Sequence, residues 1–342
     1  MVHEFLVLGG TARESSARLQ EWQYFRKAVV LTVEDGSLGV AKPNEYMSPP
    51  EVCPEFPSVI FKAGTLKDDL LYACTQTEIL VYRLPEFAIR HYISLPCFND
   101  LHHVAPTARD TILAAVTGLD LVVELSTDGA VINEWNVLGK DTWATFSRET
   151  DYRKVPTTQP HEAHPNFVFT LGDEVWTTRC DLNDAICLTG GDRRIDLSGA
   201  GFHPVAIVHD GVRYGGDLYF TAVDGNVLVV DADSLSVTSV HNLREIVPTD
   251  YPLGWCRGIE ILDADRVVVG FSRLRQTKLQ DKLRWAKAQV KRVSGMKSYR
   301  QSLPSLPTRI CCFNLRERTL EWEVPLSEFG IDALFSVHRY DR

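Results

Sequence analysis

The chain has 342 residues, of which 44% are hydrophobic and 24% charged, and its formal net charge is −9. These values are ordinary for a globular protein and exclude disorder, collagen and coiled coil as descriptions of the whole chain. The acidic balance argues against nucleic acid as a partner. The first ten residues lack the features of a signal peptide, and no stretch approaches the roughly 18 apolar residues of a membrane span. We therefore expect one cytoplasmic domain, residues 1–342, with no membrane span.

Strand-length apolar runs separated by turn signals dominate the sequence, over residues 57–95, 101–136 and 203–242. Asp-Gly pairs at 210–211 and 224–225 are typical of tight turns between antiparallel strands. Four strands in roughly 40 residues, repeated, predict an all-β fold, a six-bladed β-propeller. A pair of β-sandwiches would explain the hairpins but not their recurrence.

The sixth blade is expected to combine both ends of the chain. Residues 331–340 would supply its inner strand, and the apolar runs at 3–10 and 27–33 its outer strands, so that the ring closes without an open sheet edge. Two insertions interrupt the repeat. They are residues 139–160, predicted as a polar loop, and residues 274–307.

The second insertion is strongly basic, since residues 273–300 contain ten Lys or Arg and a single acidic residue. Apolar residues at every third or fourth position predict an amphipathic helix over 276–293. This helix could pack on the propeller rim with a solvated charged face. It could instead form a lid over the central mouth, where Lys282 and Lys287 would attract an anionic substrate or partner.

The first residues of the innermost strands should converge on the propeller axis, because these strands run beside it. Alignment of the repeats places six residues there: Ser58, His102, His164, His203, Arg257 and His338. Four of the six are His, in a chain that has only ten. This enrichment predicts a His-lined axial site.

Converging neutral imidazoles favour a divalent metal ion such as Fe, Zn, Cu or Mn. The predicted ligands are His102, His164, His203 and His338. An open coordination position would activate water or a substrate oxygen. Arg257 would hold a carboxylate or phosphate nearby. Asp100 would orient His102 or His103.

Two alternatives need no metal. In the first, His102 or His103 acts as nucleophile or general acid–base, while Arg257 and Asn166 stabilise a developing anion. In the second, the imidazoles are ordinary tunnel-lining side chains hydrogen-bonded to backbone and water. For the adjacent His pair, strand alternation would then turn one ring toward the tunnel and the other toward a blade interface.

The eight cysteines lie mostly in or beside apolar runs, and none forms a CxxC pair. This favours buried free thiols over a zinc ribbon or a disulfide framework.

Residues 111–136 (TILAAVTGLDLVVELSTDGAVINEWN) resemble a blade of the six-bladed NHL-repeat, strictosidine-synthase-like and arylsulfotransferase propellers. Residues 164–169 (HPNFVF) and 254–275 are similar to stretches of bacterial propeller proteins of unassigned function. The resemblance spans residues 57–340. Because the named families include metal-dependent lyases, lactone hydrolases and His-dependent sulfotransferases, it implies an axial active site that uses His chemistry.

Three functions are open at this point. The first is a metal-dependent lyase, hydrolase or oxygenase whose His-lined axial site acts on a small anionic molecule. The second is a non-catalytic propeller that binds a protein partner through the basic helix. The third is a metal-free transferase that uses His102 or His103.

Overall fold

The computed structural model describes residues 3–14, 19–34, 43–198, 207–247, 249, 251–274 and 306–340. They form six antiparallel sheets of four strands each, arranged as the blades of a propeller. The prediction of an all-β six-bladed propeller is therefore confirmed.

The strands follow one another in chain order. The N-terminal strands are β1 (Glu4–Ala12), β2 (Phe25–Glu34) and β3 (Asn44–Tyr46). Blade 1 contains β4 (Thr65–Lys67), β5 (Leu70–Cys74), β6 (Ile79–Arg83) and β7 (Ala88–Ile93). Blade 2 contains β8 (Leu101–Pro106), β9 (Ile112–Val116), β10 (Leu121–Leu125) and β11 (Val131–Asn136). Blade 3 contains β12 (Pro165–Leu171), β13 (Glu174–Arg179), β14 (Asp184–Cys187) and β15 (Arg194–Asp196).

The remaining blades complete the ring. Blade 4 contains β16 (Val208–Tyr214), β17 (Asp217–Ala222), β18 (Asn226–Asp231) and β19 (Ser236–Asn242). Blade 5 contains β20 (Trp255–Ile261), β21 (Arg266–Ser272), β22 (Arg309–Asn314) and β23 (Thr319–Pro325). Blade 6 contains β24 (Ala333–Arg339) with β1, β2 and β3.

Helical structure is sparse in the described residues. A four-residue helix, α1, spans Thr142–Thr145. Short 3₁₀ turns span Glu21–Gln23, Pro50–Val52, Thr117–Leu119, Tyr152–Lys154, Cys180–Leu182, Leu243–Glu245 and Ser327–Phe329.

Burial changes from the axis to the rim. The middle strands are apolar on both faces, as in β9, where every side chain of Ile112–Val116 is buried, because each blade is sandwiched between two others. The outermost strands alternate between exposed and half-buried residues, as in β19 and β23. The core therefore consists of apolar layers between blades, and six of the eight cysteines are buried free thiols, as predicted.

The two ends of the chain close the ring, as predicted. Inner strand β24 pairs antiparallel with β1, with Val7 opposite Val337, and β1 continues to β2. Gly9 is required at this seam, because a Cβ atom there would lie 2.1 Å from the carbonyl oxygen of Ala333.

Two of the predicted inner-strand starts, Ser58 and His338, are wrong, and a third, His203, cannot be compared with the structure. In blade 1 the chain after Ser58 is extended, but the strand begins at Thr65. In blade 4 the strand begins at Val208, and His203 lies outside the described residues. In blade 6 the strand begins at Ala333, so His338 is near its end. Apolar runs locate strands, but they do not fix which residue reaches the axis first.

One of the two predicted Asp-Gly turns is also wrong. Gly225, with φ +96°, does lie in the turn between β17 and β18. Asp210 and Gly211 instead lie within β16, the inner strand of blade 4. The Asp-Gly pair does not connect two strands there. It belongs to a β-bulge between Val208 and Gly211 within one strand.

The structure describes the first of the two insertions, residues 139–160, in full. Residues 139–160 are mostly loop and include α1. Their side chains Trp143, Phe146, Tyr152 and Val155 pack against the apolar layer of blades 1 and 2. Residues 275–305, which contain the predicted basic helix with Lys282 and Lys287, lie outside the described residues.

Candidate functional site

Beta-bulges at the start of the inner strands determine which side chains face the axis. In β8 the register shifts between Leu101 and His103, so that His102 is an extra residue. In β16 it shifts between Val208 and Gly211, which makes room for His209 and Asp210. β12, β20 and the β24–β1 pair have register shifts in corresponding places. Because a bulge re-aims side chains, the residues it adds can turn toward the axis.

A partly open pocket of about 290 Å³ lies on the axis, and every blade contributes to its wall. From blade 1 to blade 6 these residues are Lys62, His102, His164, His209, Arg257 and Phe335. Asp100 also lines the pocket. Four of the seven, Asp100, His102, His164 and Arg257, are residues that the sequence predicted for the site.

Three imidazoles from three blades meet in this pocket. The ring centroid of His102 lies 4.8 Å from that of His164 and 6.0 Å from that of His209. His164 is held in place by Asp120, whose carboxylate accepts hydrogen bonds from the backbone N–H groups of residues 162–164. The predicted convergence is thus observed for two of the four named ligands, with His209 as an additional member.

Each of the three imidazoles is anchored through its Nδ1 atom. In His102, Nδ1 donates to the carbonyl oxygen of Asp100 at 2.9 Å. In His209, Nδ1 donates to Oδ2 of Asp210 at 2.9 Å. In His164, Nδ1 lies 3.1 Å from Nδ1 of His161. Within the described part of the chain none of the three Nε2 atoms has a hydrogen-bond partner, so these atoms are available to a bound molecule.

Burial keeps these imidazoles neutral. Burial and the nearby Lys62 ammonium hold the pKa of His102 well below its ordinary value. Burial lowers the pKa of His164 to about 3. Burial also lowers the pKa of His209. Neutral imidazoles with free nitrogen atoms can accept protons or bind metal ions.

The charged groups of the pocket surround one aromatic ring. Lys62 Nζ lies 4.9 Å and Arg257 Cζ 4.2 Å from the ring centroid of Phe335. Lys62 also forms an ion pair with Asp100, with an N–O distance of 3.1 Å. Burial opposes ionisation of Asp100, but Lys62 and the imidazoles hold the pKa of its carboxyl below its usual range. Two cations and an ionised carboxylate therefore lie beside the three imidazoles.

The rest of the pocket wall combines apolar and polar side chains, the polar ones being Glu21, Gln76, Thr77, Asn99, Thr157 and Gln159. Trp22, Pro54 and Trp255 contribute apolar surface, and the first insertion adds Val155 and Pro156. The insertion predicted as a polar loop therefore forms part of the pocket. A ligand here would contact charged groups, imidazoles and apolar surface.

A second set of polar side chains, which we call the interblade ring, links neighbouring blades. Its members are His103, Asn166, Asp210, Ser272 and Ser336. His103 donates from Nε2 to the carbonyl oxygen of Gly64 and accepts at Nδ1 from Val168 N–H, both at 3.2 Å. Asn166 Nδ2 donates to the carbonyl oxygen of Val208 at 3.1 Å. These bonds connect blades 1 to 4.

The other three members complete the circle. Asp210 Oδ2 accepts from Gly258 N–H at 2.8 Å, which links blades 4 and 5. Ser272 Oγ donates to the carbonyl oxygen of Leu334 at 2.8 Å. Ser336 Oγ accepts from the N–H of Gly64 at 3.3 Å, which returns to blade 1. The hydrogen bonds of the interblade ring thus join all six blades around the axis.

Several predicted site residues are not at the pocket. His103 and Asn166 are buried in the interblade ring and do not line the pocket. His338 bonds to Ser336 at 2.6 Å and is not among the residues that line the pocket. The catalytic role predicted for His103 and the anion-stabilising role for Asn166 are untested.

Three pocket residues were missed by the sequence analysis: Lys62, His209 and Phe335. Lys62 had a detectable signal, because it is a single charged residue inside the apolar run PSVIFKAG. His209 was hidden by the apparent turn at Asp210–Gly211. Phe335 had no signal, since an aromatic residue in an apolar strand ordinarily belongs to the core.

The predicted metal ligands do not form a complete set. Among the residues that the structure describes, no group of three or more His, Cys, Asp or Glu side chains is placed so that it could hold a metal ion. The imidazole chemistry of the pocket suits a divalent ion, but His338 is elsewhere and His203 is not described. Metal binding therefore stays a prediction.

Comparisons with known proteins identify the class of fold. No family model and no curated protein matches the chain. A crystallised protein of unknown function from Bacteroides caccae has a TM-score of 0.60 and 10% identity, with 100% of both chains covered. A streptogramin B lyase has a TM-score of 0.49 and 12% identity over 94% of this chain and 88% of its own.

A virginiamycin B lyase from Staphylococcus aureus has a TM-score of 0.44 and 12% identity over 71% of this chain and 70% of its own. At such identities the likeness is one of fold, and a propeller fold hosts many functions. A closer kinship with the NHL-repeat or strictosidine-synthase-like propellers stays a prediction. None of the helices in the described ranges has the length and apolar character needed to cross a membrane.

Proposed function

We propose that the protein is an enzyme of lyase or hydrolase type that acts on a small anionic molecule in the axial pocket. The observation that carries this proposal is the convergence of three neutral imidazoles with anchored Nδ1 atoms, beside Lys62 and Arg257, in one partly open pocket. Convergent titratable groups with perturbed pKa values in a pocket are a physical basis for inferring a reactive site.

Binding would use the two cations and the apolar walls together. Arg257 can bind a carboxylate or phosphate through two parallel hydrogen bonds. Lys62 adds a second positive charge, although Asp100 neutralises part of it. Trp22, Trp255 and the face of Phe335 would hold the uncharged part of the molecule. A volume of about 290 Å³ is at the small end for ligand pockets, which favours a compact substrate.

The imidazoles would transfer protons. A neutral ring whose Nδ1–H is bonded to an acceptor has its lone pair on Nε2, so it can take a proton from the substrate or from water. His102 meets this condition because Nδ1 is bonded to a carbonyl oxygen. The anion formed would be stabilised by Arg257.

In the metal-dependent form of this proposal, His102 and His164 would hold a divalent ion, with His209 in the position that the sequence assigned to His203. The three rings would have to shift toward one another, because as they are placed they form no group that could hold a metal ion. Such an ion would supply Lewis-acid activation of a bound oxygen. Metal content by elemental analysis, with the turnover assay repeated after chelation, tests this form. Full turnover in protein with far less than one equivalent of metal would contradict it.

The test of the function is a turnover screen. Purified protein is incubated at low salt with a defined library of organic acids and phosphate esters, and mass spectrometry follows the loss of each compound. We expect at least one compound to be consumed. We expect that rate to fall about 100-fold or more in the double variant His102→Asn/His164→Asn, as is typical for loss of acid–base groups.

Two further variants test the anion. Lys62→Met with Arg257→Met should abolish binding of the consumed compound, measured by calorimetry at low salt. Lys67→Met, on an exposed part of the same blade, is the matched control and should bind normally. Binding of library anions without turnover would contradict an enzyme and favour the non-catalytic propeller. Consumption that is unchanged in both double variants would place the reaction outside this pocket.

A further inference from the structure

His209 and Asp210 form a directly bonded pair that neither the motifs nor the fold comparisons pointed to. Nδ1 of His209 lies 2.9 Å from Oδ2 of Asp210, and both side chains are buried. The same oxygen accepts from Gly258 N–H at 2.8 Å, which fixes the carboxylate to the neighbouring blade. His209 lines the axial pocket, whereas Asp210 does not. The pair therefore joins the pocket to the interblade ring.

The three pocket imidazoles differ in the group that holds Nδ1. His102 is held by a carbonyl oxygen, and the carboxylate of Asp100 is 3.7 Å from its Nδ1. His164 is held by the ring of His161. Of the three, only His209 has an ionised carboxylate within hydrogen-bond distance of Nδ1.

This difference matters when a ring takes up a proton. The positive charge formed on His209 would be balanced at once by Asp210, so protonation is less costly there than on the other two rings. Lys62 opposes protonation of His102, and Arg257 and Lys62 oppose that of His209. The difference between the two rings is that a carboxylate is bonded directly to Nδ1 of His209 only. Burial opposes ionisation of Asp210, but His209 and the Gly258 N–H hold the pKa of its carboxyl below its usual value, so it stays a hydrogen-bond acceptor.

We infer that His209 is the residue that accepts the proton in the pocket, and that Asp210 is the positioning residue that keeps the ring in the Nδ1–H form. This inference rests on the proposed function. In the step, an X–H bond of the substrate or of water breaks and an N–H bond forms at Nε2. The electron pair stays on X, next to Arg257, and the imidazolium is balanced by Asp210.

The fold supports this pair with specific contacts. The bulge at Val208–Gly211 lets two successive residues of β16 leave the regular ladder. Thr221 on β17 faces the bulge and accepts from the N–H of Asp210 at 3.3 Å. Oδ1 of Asp210 is enclosed and has no hydrogen-bond partner among the described residues. A neutral acceptor would link the two blades equally well, whereas only an ionised carboxylate can balance the charge of an imidazolium.

The resting protein provides the first test, because it needs no substrate. Nitrogen-15 NMR of labelled protein reports which ring nitrogen of each His carries the proton. We expect His209 to be entirely in the Nδ1–H form at neutral pH, and Asp210→Ala to introduce the Nε2–H form. A wild-type ring in the Nε2–H form, or no change on removal of the carboxylate, would overturn the inference.

The second test separates the charge of Asp210 from its structural bonds. Asp210→Asn keeps a side-chain oxygen for Nδ1–H and for Gly258 N–H but removes the charge. We expect kcat on the consumed library compound to fall about 10²- to 10⁴-fold, with KM within about threefold of the wild-type value. His209→Asn should show a loss of similar size.

Glu260→Gln is the matched control, because Glu260 is also on an inner strand and its Oε2 accepts from Arg339 N–H at 3.0 Å, linking two blades. This control should retain wild-type kcat. If Asp210→Asn also retains it, Asp210 has only a structural role and the inference fails. If no library compound is consumed but His209 is found in the Nδ1–H form, the proposed function is wrong. The role of Asp210 in keeping the His209 ring in that form is then still supported.

Discussion

Near the axis of this propeller, buried histidines have different roles because their ring nitrogens make different hydrogen bonds. His102 and His209 each have a bonded Nδ1 and an Nε2 without a protein partner. His103 has both nitrogens bonded to backbone groups of neighbouring blades, which leaves none for a ligand. Two adjacent residues of one strand therefore have different roles: His102 lines the pocket, and His103 has a structural role.

Buried neutral imidazoles make stability depend on pH. Burial lowers the pKa of His338 to about 3, with His103 adding to the effect and Asp210 opposing it. The unfolded chain takes up a proton on this ring near pH 6.5, whereas the folded chain does not. Above pH 6.5 the ring is neutral in both states, so it does not favour unfolding. As the pH falls from 6.5 toward 3, protonation of the ring in the unfolded chain lowers the free energy of unfolding.

We predict that His338→Gln reduces the loss of stability between pH 7.5 and pH 5 by about 2 kcal/mol, the cost of keeping one such ring neutral. Urea unfolding at both pH values measures this difference. His91→Gln, on the outer strand β7, should leave the loss unchanged. An equal loss in wild type and His338→Gln would show that His338 is protonated in the folded protein.

At the level of the element, irregular inner strands create the site. A regular strand would present every second residue to the axis. In β8 the residue that the bulge adds, His102, lines the pocket, and the next residue, His103, belongs to the interblade ring. Hydroxyl groups on the next strand compensate the bulge: Thr178 on β13 accepts from the N–H of Phe167 at 3.1 Å and donates to Asn166 Oδ1 at 2.7 Å.

Loss of this hydroxyl should weaken blade 3. Thr178→Val keeps the shape of the side chain but leaves a buried N–H and a buried amide oxygen without their partner. We predict a fall of about 1–3 kcal/mol in the free energy of unfolding, measured with urea. Thr170→Val, at the half-buried end of the neighbouring inner strand β12, should change it by less than about 0.5 kcal/mol. Similar values for both variants would mean that the bulge does not depend on Thr178.

For the whole molecule, ring closure brings the six pocket residues together. The strand that contributes Phe335 comes from the C-terminal end of the chain and is held by β1 from the N-terminal end. The close approach at Gly9 makes this seam sensitive to added volume.

We predict that Gly9→Ala lowers the free energy of unfolding by about 2–3 kcal/mol, because β24 must move away from β1. Gly216→Ala is the control, since a Cβ atom there meets no other atom within 4 Å. Thermal unfolding followed by circular dichroism compares the two variants. If they unfold at the same temperature, the seam tolerates the shift and ring closure is looser than the contact suggests.

The sequence by itself determined the repeat of four short strands, the closure by both ends of the chain, and an axial site with Asp100, His102, His164 and Arg257. These follow from local patterns: apolar runs, turn residues and rare residue types at equivalent positions. Only the tertiary structure decided that His209, Lys62 and Phe335 complete the pocket and that His338 does not line it. The physical reason is that bulges change the register by one residue, and a one-residue shift reverses the direction of a side chain without changing the apolar pattern.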